Sequence, residues 1–188
     1  MRDKDFGITI HFASDISDLY TLGYVASDLY QMWVYSELIQ KNDRYNIERF
    51  YGEKAKYFNR YVSVLDEYRE QATIKEIKRG SVELYLGGAT LVAAVVMPIV
   101  AIKAQTYMQE RNQTVTFNVN PDDPQLANVL DAYKRDVFGS GNAGVDTLAA
   151  YLKNKGYSVK AISDNIYDIE RVTDRYGQRI AKTIRKHH

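Results

Sequence analysis

Residues 84–102 read LYLGGATLVAAVVMPIVAI, an uncharged run between Glu83 and Lys103 that nothing else in the sequence approaches in apolarity. About twenty apolar residues cross the hydrocarbon core of a bilayer as a helix, so the run predicts a single transmembrane helix. A second reading makes it a buried core helix preceded by a short strand. If Val82 to Leu86 is a strand, the run from Gly87 is roughly 24 Å long as a helix. That is short for a span unless Lys103 reaches back to the interface and Ala104 to Met108 extend it. Gly87, Thr90, Ala94, Pro98 and Ala101 form a stripe of small or narrow residues. In lipid such a stripe lets neighbouring helices approach closely, which predicts self-association, with a pore on the axis. Pro98 implies a kink. With no ionisable residue inside the run, a proton relay is unsupported. Arg69, Lys75, Lys78 and Arg79 precede the run, against Lys103 and Arg111 after it. That bias places the N-terminal half in the cytoplasm.

Upstream, Met1 to Gly7 is charged and lacks the apolar stretch of a cleaved signal peptide. Ile8, Ile10 and Phe12 alternate with Thr9 and His11, the pattern of a half-buried strand. Ser14 and Asp15 supply a cap for a helix reaching about Gln40, with Ile16, Leu19, Gly23, Ala26, Tyr30, Trp33 and Leu38 near helical spacing as its core face. Lys41 to Asn46 reads as a turn. A second helix is predicted from about Ile47 to Gln71, with Phe50, Tyr57, Tyr61, Val64 and Tyr68 on one face. Residues 72–80 fit helix or strand equally, Gly80-Ser81 breaks the chain, and Val82, Leu84 and Leu86 alternate.

Downstream, Thr114 to Val119 is a strand by its alternation. Asp123-Pro124 starts a helix, a cap followed by proline at the first helical position. Val145 to Lys155 is helical and stops at Gly156. Tyr157 to Ile162 fits a strand, and Ser163 or Asp164 caps a last helix reaching about Arg185.

That last helix is amphipathic. Ile166, Ile169, Tyr176, Ile180 and Ile184 share one face, while Arg171, Arg175, Arg179, Lys182 and Lys186 recur every three to four residues on the other. Fixed positive charge at this spacing suits the phosphates of a nucleic acid or nucleotide and equally an anionic lipid surface. It also suits a solvated face near a helix C-terminus. Sixteen tyrosines, nine of them between Tyr20 and Tyr68, follow helix faces and read as helix–helix packing.

Gly139-Ser140-Gly141-Asn142-Ala143-Gly144 matches a glycine-rich phosphate loop, with Asp164 placed as a ribose acid. The preceding Asp131 to Val137 reads as a charged helix rather than a buried strand, so Gly139, Gly141 and Gly144 are weak phosphate-loop candidates. His11 stands alone, and no nucleophile, metal-ligand or P-loop motif occurs. The absence of cysteine excludes disulfides, thiolate zinc sites and thiol catalysis. A net charge of +1 over 188 residues excludes a globally basic nucleic-acid coat.

The expected architecture is α+β and predominantly helical. It comprises an N-terminal strand with tyrosine-rich helices (1–80), a central hydrophobic helix that is the candidate span (81–110), and a helical C-terminal region with one or two strands (111–188). The expected function is a non-enzymatic, self-associating membrane protein. It would be a channel-like effector gated by a nucleotide or nucleic acid, of the kind used in bacterial cell killing or antiviral defense. The alternative is a soluble homo-oligomeric structural, virion or scaffold protein, cytoplasmic or in the virion, with 84–102 as its core. A nucleotide-binding enzyme using Gly139–Gly144 is a further alternative. Expected partners are a second copy, the bilayer and a nucleic acid or nucleotide. No cofactor and no metal are expected.

Overall fold

The computed structural model describes residues 6–13, 18–55, 72–78, 81–89, 91–109, 116–121, 124–125, 128, 150–151, 153–154 and 160–185. Helix dominates these residues. The named elements are β1 (Phe6–Ala13), α1 (Leu19–Gln40), α2 (Arg44–Tyr51), β2 (Ala72–Lys78), β3 (Ser81–Ala89), α3 (Leu91–Gln109), β4 (Thr116–Pro121), α4 (Lys160–Ser163) and α5 (Ile166–Arg185).

The alternation around Ile8–Phe12 does form a strand, and β1 becomes an inner strand of an antiparallel sheet of order β2-β3-β1-β4. Ile10 is opposite Leu84 on one side and Val119 on the other. It is fully buried and joins the core that the helices build. The ambiguous stretch before Gly80 resolves as strand β2, paired with β3. The sheet therefore draws strands from 1–80, 81–110 and 111–188 alike, and those three stretches share one structural layer.

Helix α1 starts later than the first candidate caps. Asp18 is the cap, accepting a hydrogen bond from the Thr21 N–H at 2.7 Å. The buried face runs through Thr21, Val25, Asp28, Leu29 and Met32, and every residue from Gln31 to Ile39 is buried. Leu19, expected on the core face, is exposed. Asn42 sits in the left-handed region at φ 54°, a conformation asparagine tolerates. The reversal there lets α2 begin at Arg44 under an Asp43 cap. That helix ends at Tyr51 rather than running on toward Gln71, of which residues 56–71 lie outside the described residues. Gly52 caps that end with an extended ψ, at a point where a Cβ would clash with the Glu48 carbonyl oxygen.

The run 84–102 is divided rather than continuous. Ser81–Ala89 is strand, and the helix begins at Leu91. This corrects the membrane expectation: among the described residues, no helix is long and apolar enough to cross a membrane. The uncharged helical part, Leu91 to Ile102, is about 18 Å long at 1.5 Å per residue, against a hydrocarbon core of about 30 Å. Its apolar surface is covered by the chain itself. Val92, Ala93, Val95, Val96, Met97, Val100 and Ala101 are buried in one cluster with side chains of α1 and α5. The channel-like, single-span reading and the orientation drawn from flanking charge fall with it. Lys103 does not snorkel to an interface; its ammonium lies 3.9 Å from Glu170 and 3.8 Å from Asp174, both on α5.

The small-residue stripe is broken by the same division. Gly87 belongs to β3, whereas Pro98 and Ala101 are buried within α3. Thr90 and the Ala94 side chain lie outside what is described. Close helix approach does occur, but within the chain: a Cβ on Gly177 of α5 would stand 2.6 Å from Lys103 Cβ and 3.0 Å from Ala104 N. Residues 160–162, expected to end a strand, belong instead to the short helix α4, which Ser163 completes.

Candidate functional site at the junction of α1, α2 and α5

Helix α5 meets α1 and α2 along its basic face. The short α2 leaves backbone carbonyls without helical partners at its C-terminal end, as any helix does. Two arginines supply the missing donors. Arg175 is bidentate, donating from Nη2 to Tyr51 O at 3.0 Å and from Nη1 to Gly52 O at 3.3 Å. Arg171 donates from Nη1 to Tyr51 O at 3.2 Å and from Nη2 to Asp168 Oδ1 at 3.0 Å. Cationic groups at a helix C-terminus also oppose its dipole favourably. Gly52 keeps this end compact, since it packs under Glu48 where a side chain has no room.

Behind the arginines lies a buried tyrosine cluster. The rings of Tyr35 and Tyr51 are 4.8 Å apart, and those of Tyr51 and Tyr176 are 6.2 Å apart. Gln31 ties them to α1: Tyr51 donates its hydroxyl to Gln31 O and Tyr176 donates to Gln31 Oε1, both at 2.7 Å. The guanidinium groups of Arg175 and Arg179 stack over the Tyr176 ring, 5.7 and 5.2 Å from its centre. Burial pushes the Tyr176 hydroxyl up to about 12, with Arg179 opposing and Asp28 adding to the rise. Burial likewise raises Tyr35 and Tyr51. These phenols are therefore protonated at neutral pH and are not poised as bases or nucleophiles.

Asp28 is the unusual group here. It is completely buried on α1, and Arg179 Nη2 lies 2.7 Å from its Oδ1. The contact is a close ion pair through Oδ1, and Oδ2 has no hydrogen-bond partner among the described residues. Desolvation outweighs the arginine and raises its carboxyl from 3.8 to about 6. A perturbed carboxyl in an open cleft is a catalytic candidate. This one is closed off, with a side chain only 1% exposed.

Beside the arginines, an open cleft of about 510 Å³ is lined by Glu48, Gly52, Glu53, Lys54, Asp168 and Arg171. Its walls are charged with both signs, and Arg171 already bonds Asp168 and Tyr51. Among the described residues no cluster of histidine, aspartate and glutamate could hold a metal ion.

The candidate anion-binding residues thus separate. Arg171, Arg175 and Arg179 come together on one face of α5, but their guanidinium groups contact Tyr51, Gly52, Asp168 and Asp28. Lys182 is exposed. Lys186 lies outside the described residues, as do Gly139, Gly141 and Gly144. Asp164, the candidate ribose acid, forms an exposed ion pair with Lys160 at 3.1 Å. Sequence reasoning missed Gln31, Tyr51 and Asp28. The aspartate and glutamine sat unremarked on a helix whose buried face was drawn through other residues.

Comparison with protein-family models, with curated proteins and with solved structures finds no match to this chain.

Proposed function

We propose that this chain is a non-enzymatic structural protein that acts by self-association, with residues 84–102 split between its sheet and its buried core. The observation carrying this reading is the use made of its most reactive-looking groups. The arginines that would serve an anionic ligand are spent on the carbonyls of α2 and on Asp28, and the perturbed carboxyl and phenols are sealed inside. Their chemistry fixes helix positions. Self-association is supported by the sheet, which among the described residues leaves β2 and β4 each hydrogen-bonded to one neighbour. Unpaired strand edges are templates for further pairing.

Light scattering coupled to gel filtration, over a hundredfold range of protein concentration, is the test. A defined oligomer is expected. A monomer at every concentration overturns the reading.

A further inference from the structure

Among the described residues the sheet ends in two edge strands, β2 and β4, and the difference between them points to one. Strand β2, sequence ATIKEIK, carries Lys75, Glu76 and Lys78. Its pairing with β3 slips between Ile74 and Glu76, which leaves Lys75 out of register. Charge and a bulge are two of the devices that keep edge strands from joining other sheets. Strand β4, sequence TFNVNP, has neither. It carries no charged residue, and its pairing with β1 runs without a slip from Thr116 opposite Ala13 to Pro121 opposite Ile8.

We propose that β4 pairs antiparallel with β4 of a second copy of this chain, edge to edge around a two-fold axis. This rests on the self-association reading and names its surface. The occupant follows from the strand's own composition. An antiparallel pair of identical strands repeats every cross-strand contact about the axis, so a charge near that axis meets its own like. An uncharged strand escapes that cost in any register. It also offers outward-pointing N–H and C=O groups on alternate residues, the donors and acceptors a copy of itself complements. Pro121, which has no N–H to give, stands at the far end and limits the ladder to Thr116–Asn120. Strand β4 is also braced: it pairs with the inner strand β1 and packs against α3, so the edge is presented by a fixed backbone.

The absence of native cysteine makes the test direct. Single cysteines are placed in the full chain at Phe117, Asn118 and Val119, and at Lys75 as the control on the guarded edge. Each variant is checked for native circular dichroism and then oxidised mildly. A disulfide needs Cα atoms within about 7 Å, so only strands paired near the two-fold axis are bridged. At least one β4 position is expected to cross-link on the order of a hundredfold faster than Lys75→Cys. The reason is that a paired edge holds the thiols at about millimolar effective concentration, against about ten micromolar in free solution.

Cross-linking at every folded β4 variant no faster than at Lys75→Cys overturns the proposal. Light scattering on the unmodified chain separates the two levels. An oligomer with slow β4 cross-linking removes this surface and leaves self-association standing; a monomer removes both. Should the cysteine variants lose native dichroism, Asn118→Lys and Asn120→Lys replace them. Dissociation of the oligomer by these charged edges is expected, and an unchanged oligomer overturns the pairing.

Discussion

Helix α5 is held on two sides by opposite means. Where it crosses α3, the buried contact is a matter of shape: Gly177 lies against Lys103 and Ala104, and the polar links from Lys103 and Tyr107 to Glu170 and Asp174 sit at its partly exposed rim. Where it meets α1 and α2, contact is a matter of charge and hydrogen bonds, built from arginine, buried tyrosine and a buried carboxylate. The buried, apolar part of the first contact is indifferent to pH and intolerant of volume change. The second tolerates shape but depends on protonation and on each donor finding its acceptor. One helix thus carries two kinds of vulnerability about half a turn apart.

The largest expected effect probes the shape side. Met97 of α3 is completely buried, and Met97→Ala is expected to cost about 2–5 kcal/mol, as large-to-small core substitutions do. The loss, measured by urea unfolding, should be the same at pH 5 and pH 8. A cost that varies with pH would break the division between the two sides.

Asp28→Asn probes the charge side and is expected to act in the opposite direction. Because the folded state raises this carboxyl from 3.8 to about 6, it binds a proton more tightly than the unfolded chain does. The contribution of Asp28 to stability is therefore fully present below about pH 4 and is lost as pH rises through about 6. By pH 7 that loss is roughly 3 kcal/mol. An amide has no such charge to bury. Relative to the unmodified chain, Asp28→Asn should be near neutral at pH 4 and progressively more stable toward pH 7, in thermal unfolding followed across that range. A variant less stable at pH 7 than at pH 4, by the same comparison, would mean that the Arg179 pair outweighs desolvation.

Gly177→Ala sharpens the contrast further. On an exposed helix face this change stabilises by up to about 1 kcal/mol. At the α3 crossing it should instead cost about 1–3 kcal/mol, because the backbones must separate. A gain in melting temperature would show that the crossing has slack.

The smallest effect is expected from Tyr51→Phe. It removes one buried hydroxyl that donates to Gln31 O while keeping the ring, and should cost about 1 kcal/mol. Arg175 bonds the Tyr51 backbone rather than its side chain, so the clamp on α2 survives this substitution.

The sequence revealed the faces of α5 well. Ile169, Tyr176, Ile180 and Ile184 are buried as their spacing implied, and β1 was legible from alternation alone. The meaning of the run 84–102 was not legible, because apolarity records that a segment avoids water and not whether lipid or protein replaces the water. Gly87-Gly88 marked the place where strand could give way to helix, but the stripe of small residues read across it as if the helix were continuous. The arginine stripe failed differently. Its partners are main-chain carbonyls of Tyr51 and Gly52, which every residue possesses and no sequence pattern advertises. Asp28 was hidden by the face assigned to α1, which ran through Leu19 and Gly23 instead of Thr21 and Val25.

The junction also sets an order of events. The bonds from Arg171 and Arg175 to Tyr51 span 120 and 124 residues, and the Tyr176–Gln31 bond spans 145. Contacts so distant along the chain form slowly, because a long loop must close before they return any energy. During synthesis, at about 5–20 residues per second, α1 and α2 emerge on the order of ten seconds before α5 is made. Through that interval the carbonyls of α2 are hydrated, Asp28 has no arginine, and the apolar face of α1 lacks its cover. Burial of the α1 face therefore has to wait for a helix encoded far downstream, and exposure of that face in incomplete chains is the hazard this topology carries.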